Sequence, residues 1–160
     1  MFNWFRKKDK TNRVVGQQAI VPMKTIDYPP KIILAWAKAV EGNDEIVVWL
    51  KENGFEELAM ATYAIYLKEP ARDWLTKNGY PQLMAFINAA EGNVKAQRWL
   101  LLHDFEILHF MSLAIDDDQD AWKWLGENVT ADLFLLAQSI KKVKDKIEEK
   151  HNDVHSFGKD

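Results

Sequence analysis

The stretch "WLKENGF" at Trp49–Phe55 returns as "WLTKNGY" at 74–80, "WLLLHDF" at 99–105 and "WLGENVT" at 124–130. The Trp-Leu pair therefore recurs every 25 residues without drift, at Trp49, Trp74, Trp99 and Trp124 and at Leu50, Leu75, Leu100 and Leu125. Self-similarity at a fixed period of this size marks a stack of supersecondary units, none of which can bury its apolar face alone. Further columns keep the same register. One is Leu58, Leu83, Leu108 and Leu133, preceded by Ile33. One is small (Ala39, Ala64, Ala89, Ala114, Ser139), and its neighbour is apolar throughout (Val40, Ile65, Ala90, Ile115, Ile140).

A unit of this length predicts two helices of about ten residues, rods of about 15 Å. Helices this short are marginal in isolation and depend on packing. The first helix of a unit starts after "EGND" at 41–44, "EGNV" at 91–94 or "DDDQ" at 116–119, where Asn43, Asn93 and Asp118 are natural N-caps. Such side chains accept a hydrogen bond from an otherwise orphan backbone N–H. Pro70 stands in the first turn of the remaining unit, where a missing donor is harmless. Gly54 and Gly79 supply the left-handed residue that ends a helix, and Pro81 opens the next. The expected fold is all-α: an α-solenoid of about four 25-residue helix-turn-helix repeats, an initial half unit at 30–40 and a longer C-terminal capping helix. The predicted boundaries are an N-terminal arm and linker at 1–24, a repeat domain at 25–150 and a polar tail at 151–160. The small column is expected where helices approach closely, and the Trp column is expected in the core, wedged between units.

Two stretches, "AVEGNDEIVVWLKENGF" at 39–55 and "AAEGNVKAQRWLLLHDF" at 89–105, resemble the helical core of an ankyrin repeat. They share a small-residue helix end, a Gly-containing turn and a second helix with a Leu-containing end. The resemblance covers the helices only, because an ankyrin repeat is about 33 residues long and carries a hairpin and a "TPLH" entry that are missing here. It implies protein binding.

Composition narrows the function. The formal charge is −3, which gives no bulk basicity for nucleic acid. The chain has no cysteine, so disulfides, thiolate nucleophiles and Cys-ligated metals are excluded. No nucleotide loop, nucleophile elbow or zinc-protease motif occurs, so no catalytic residue, metal or cofactor is expected, and the compartment expected is the cytoplasm. "DDDQDAWKWLGE" at 116–127 matches four oxygen positions of a calcium loop, but Ala121 replaces its turn glycine and the repeat places 121–125 on a helix. Glu106 and His109 have the i, i+3 spacing of a di-iron helix, without the second copy such a site needs. His151 and His155 read as tail residues.

Two function classes remain. In a solenoid the variable columns define the binding face, here Val47, Val48, Arg72, Arg98, Leu102 and Trp122, which predicts a non-catalytic scaffold for another protein. Trp122, two residues before the register Trp, is expected to pack against the last helix as well. The alternative is a peripheral protein at the inner membrane face. "MFNWFRKK" joins Phe2, Trp4 and Phe5 to Arg6, Lys7 and Lys8, an interfacial pattern suited to an anionic surface.

Overall fold

The computed structural model describes residues 21–157. Within them lie α1 (Pro30–Val40), α2 (Asp44–Glu52), α3 (Glu56–Ile65), α4 (Glu69–Lys77), α5 (Pro81–Ala90), α6 (Val94–Leu102), α7 (Glu106–Ile115), α8 (Gln119–Asn128) and α9 (Ala131–Phe157). No strand occurs among the described residues. Even-numbered helices begin at 44, 69, 94 and 119, and the odd-numbered ones after α1 begin at 56, 81, 106 and 131, so both series keep the 25-residue register. Asn43, Asn93 and Asp118 cap α2, α6 and α8 by accepting from the N–H groups of Ile46, Ala96 and Ala121 at 3.0–3.2 Å. The last helix continues to Phe157, past the point where the sequence suggests a tail.

The odd-numbered helices form the interior. In α5, Gln82, Leu83, Met84, Phe86, Ile87, Ala89 and Ala90 are buried, whereas in α6 only Gln97 and Leu100 are. The small column sits where these inner helices meet, with Ala39, Ala64, Ala89, Ala114 and Ser139 all buried. Each inner helix packs on the next, α1 on α3, α3 on α5, α5 on α7 and α7 on α9. A solenoid touching only its neighbours would leave α1 and α9 at opposite ends. They instead make the most extensive helix–helix contact among the described residues. The Ser139 hydroxyl also donates to Glu41 Oε1 at 3.1 Å across this seam. The five inner helices thus close into a ring, with α2, α4, α6 and α8 bridging its outside.

Within the Trp-Leu pair the two residues divide differently than expected. Leu50, Leu75, Leu100 and Leu125 are fully buried, but Trp49 is 43 % exposed and the other three are half-buried. The reason lies in the turn that follows. Trp49, Trp74 and Trp99 stack on Phe55, Tyr80 and Phe105 at 6.0–6.3 Å. Trp124, followed by Thr130 at the equivalent place, stacks on Phe110 at 4.0 Å instead. Each Trp carbonyl also accepts from the side chain ending its helix: Asn53, Asn78, His103 or Asn128, at 2.8–2.9 Å. The indoles therefore clamp the outer-to-inner turns. Leu50→Ala is expected to cost about 2–5 kcal/mol in urea unfolding and Trp49→Ala distinctly less; equal losses would return the Trp column to the core.

Inner-to-outer turns place Gly42, Leu67, Gly92 and Asp117 at positive φ. Leu67, at φ 65°, is the bulky exception, since left-handed backbone crowds Cβ against a carbonyl. Its side chain is 53 % exposed and recovers little by burial. Leu67→Gly is accordingly expected to stabilise the fold by about 1 kcal/mol, read as a higher urea midpoint at unchanged slope; a lower midpoint would show that the side chain's contacts outweigh the strain.

Residues 21–29 form a strap across the N-terminal ends of inner helices. The Tyr28 hydroxyl donates to Glu57 Oε1 at 2.8 Å, at the start of α3. Burial, and then Glu57, raises the Tyr28 pKa and keeps the phenol protonated. Lys24 N–H donates to Gly79 O at 2.8 Å, and Gln82 Nε2 donates to Lys24 O at 2.5 Å. The strap runs so close that a Cβ on Gly79 would lie 2.6 Å from Pro22 O.

Candidate functional site

Val47, Arg72 and Trp122 of the expected binding face stand two residues before a Trp, in a column that Gln97 completes, and the structure turns this column inward. Arg72 lies on α4 with its side chain 15 % exposed. Its guanidinium donates to Ala64 O at 3.1 Å, at the end of α3, and to Asn88 Oδ1 at 3.2 Å, and it pairs with Glu91 at the end of α5. One unit on, Gln97 Nε2 donates to Ala89 O at 3.0 Å and to Asp116 Oδ2 at 3.1 Å. The sequence separations are identical, 8 residues back and 19 forward in both cases. One outer-helix donor thus ties the C-terminal end of one inner helix to the next.

The flanking units reach the same end differently. Val47 is buried at 3 %, and Tyr66 Oη, from the position 19 residues ahead, donates to Val40 O at 2.6 Å. Burial, followed by Asp44 and Glu41, raises the Tyr66 pKa, consistent with a phenol that stays a donor. Trp122 is half-buried, edge-on to Phe134 of α9 at 5.5 Å, as the sequence suggests. There Lys144 Nζ reaches Ile115 O at 3.5 Å.

The acidic turn is likewise engaged internally. Asp116 accepts from Gln97 and lies 3.5 Å from Lys144, Asp118 caps α8, and Asp117 contacts Lys141 Nζ at 2.5 Å. The hydrogen bond from Lys141 lowers the Asp117 pKa. His109 donates from Nδ1 to Gln97 O at 2.7 Å and stands edge-on to Phe110, tying α7 to α6. Among the described residues, no three His, Cys, Asp or Glu side chains gather as metal ligands, and no helix is long and apolar enough to cross a membrane. Phe2, Trp4, Phe5, Arg6, Lys7 and Lys8, the proposed membrane contacts, lie outside the described residues, as does the side chain of His155.

Two features stand apart from this internal wiring. One is a cavity of about 460 Å³ at the C-terminal mouth of the ring, walled by Ile65, Phe86, Ile87, Ile115, Ile140 and Ile147. Its volume suits a small ligand, but on its rim Glu91 is paired with Arg72, and Lys144 with Asp116 and Ile115 O.

The other is the outward face of α6. Val94, Leu101 and Leu102 are 63 %, 49 % and 73 % exposed, and Arg98 is exposed between them. Positions i, i+4, i+7 and i+8 share one helix face. In the other three units the places of Val94, Leu101 and Leu102 hold Asp44, Lys51 and Glu52, then Glu69, Thr76 and Lys77, then Gln119, Gly126 and Glu127. The sequence points to Arg98 and Leu102; Val94 joins them from the structure, its signal being an apolar residue directly after an N-cap where its counterparts are polar. Val48 is 50 % exposed on α2, a separate helix. Comparison of the chain with family models, curated proteins and solved structures finds no match.

The strut assignment is testable by exchanging register equivalents. Arg72→Glu is expected to lose about 2–3 kcal/mol of unfolding free energy, because it removes the donor to Ala64 O and opposes Glu91. Arg72→Gln, copying Gln97, should retain most of it. Arg98→Glu, on the open face, should leave urea unfolding unchanged; equal losses from both reversals would overturn the distinction.

Proposed function

We propose that the protein is a non-catalytic binding module and that the outer face of α6 takes a protein partner. The observation that carries this reading is the stripe of Val94, Leu101 and Leu102, apolar and exposed at three positions that are polar or glycine in every other unit. Exposed apolar side chains grouped on one face mark interaction surfaces more often than scattered ones do. The α6 sequence "VKAQRWLLL" also has no acidic residue, whereas α2, α4 and α8 each have at least two. Lys95 and Arg98 beside an apolar stripe favour a partner helix with an apolar face flanked by carboxylates, the helix-on-helix mode of recognition. We read the four helix pairs as solenoid-type repeats curled until their ends meet, which leaves the outer helices available as binding surfaces. A cytoplasmic setting is part of the same proposal.

The test uses the full chain carrying a photo-crosslinker at Lys95, beside the stripe, in native lysate. A discrete protein adduct is expected from the wild-type face. It should be lost in Leu101→Glu/Leu102→Glu and retained in Val48→Glu, with thermal unfolding of both variants matching wild type. An adduct that survives the double substitution would reject the α6 face. Sedimentation with phosphatidylserine vesicles, lost on replacing Phe2, Trp4 and Phe5, would support the membrane alternative instead.

A further inference from the structure

The chemistry that the α6 face calls for is present on the chain itself. Among the described residues, only two outer helices expose large apolar side chains. One is α6, and the other is α2 with Val48 and Trp49; α4 and α8 expose none. Glu45, Val48, Trp49 and Glu52 are all exposed. They stand at i, i+3, i+4 and i+7, which places them on one helix face. That face of α2 is an apolar pair with a carboxylate about one turn to either side. Asp44, Glu45 and Glu52 outweigh Lys51, the one cation of α2, whereas α6 carries Lys95 and Arg98 and no carboxylate. The two faces are thus complementary in charge as well as in apolar character, the arrangement that steers surfaces together and fixes their register.

Within one chain the two faces do not meet, because α2 packs on α1 and α3 while α6 packs on α5 and α7. Building on the α6 binding face, we propose that its partner is a second copy of this chain, with α6 of one copy packed on α2 of the next. Each copy in such a pair keeps one face unused, α2 on one and α6 on the other. A contact of this heterologous kind continues past the dimer unless its rotation closes a ring. One pair of helix faces is a small interface, so the association is weak and depends on concentration.

Purified full-length chain decides it. Sedimentation velocity is expected to show species heavier than the monomer, which grow with concentration and recede in high salt. Leu101→Glu/Leu102→Glu and Val48→Glu should each weaken this association about tenfold or more, with thermal unfolding matching wild type. Mixed in equal amounts, the intact α2 of the first and the intact α6 of the second should pair as a one-to-one dimer and nothing larger. A wild-type chain that stays monomeric, oligomers that persist in either variant, or a mixture that fails to pair would overturn the proposal. A photo-crosslinker at Lys95 gives a second readout, with attachment expected within residues 44–52 of another copy; attachment elsewhere on the chain would reject the α2 face. Failure of self-association is separable from failure of the α6 face. A purified chain that stays monomeric, while Lys95 still captures a different protein in lysate, rejects the second copy and leaves α6 as a binding surface. Val48→Glu keeps its own α6 intact, so native copies in a lysate still present α2 to it.

Discussion

The structure depends on what happens at the C-terminal ends of its inner helices. A helix leaves its last carbonyls without intrahelical partners, and here those ends converge on an interface that excludes much of the water that would otherwise serve them. Each junction therefore needs a donor delivered from a neighbouring element. Tyr66 serves Val40 O, Arg72 serves Ala64 O, Gln97 serves Ala89 O and Lys144 serves Ile115 O. The four donors differ in charge, length and origin, but every one of them ties a helix end to the element beside it.

That requirement explains the division between helices. The inner helices carry the small column and a continuous apolar face, so they approach closely and bury most of their residues. The outer helices bury little beyond Leu50, Leu75, Leu100 or Leu125 and one residue three or four positions before it, Val47, Ala71, Gln97 or Ala121. Their other residues hold the turns or face solvent. Closing the ring extends the same economy of exposed backbone to the chain's ends. The apolar face of α1 meets α9, and Ser139 reaches Glu41 across the seam where an open stack would need a polar cap.

Much of the fold was written in the period. The 25-residue spacing, the Asn and Asp caps, the burial of the Leu column and the close approach at the Ala column all follow from local rules, and the structure shows them. Ring closure was not legible, because curvature accumulates from small rotations between units and no column records it. The Trp column lies farther out than its strict register implies, because three of its indoles stack on the aromatic residue of the following turn and all four carbonyls accept from the side chain ending the helix. The candidate site was misread in the opposite direction. Val47, Arg72, Gln97 and Trp122 share no chemistry, and variation was taken as a sign of a free surface. They differ because the four junctions can be satisfied from either side of the interface. Where Tyr66 supplies the donor, Val47 is free to be apolar, and where the donor comes from Lys144, Trp122 can pack on Phe134.

A column that varies while its surroundings stay paired therefore says little about binding until the donors and acceptors have been traced. Position 98 and the positions of Val94, Leu101 and Leu102 are different in kind. Their side chains serve no helix-end carbonyl and stack on no turn, and the helix carrying them is already held by Asn93 at its start, by His103 at its end and by Leu100 and Gln97 on its inner side. Since the fold does not require apolar residues there, and three of the four units do without them, their presence on α6 calls for an explanation outside the folded chain. The physical reason to propose a partner on this face is that its apolar surface is exposed without contributing to the packing that holds the ring together.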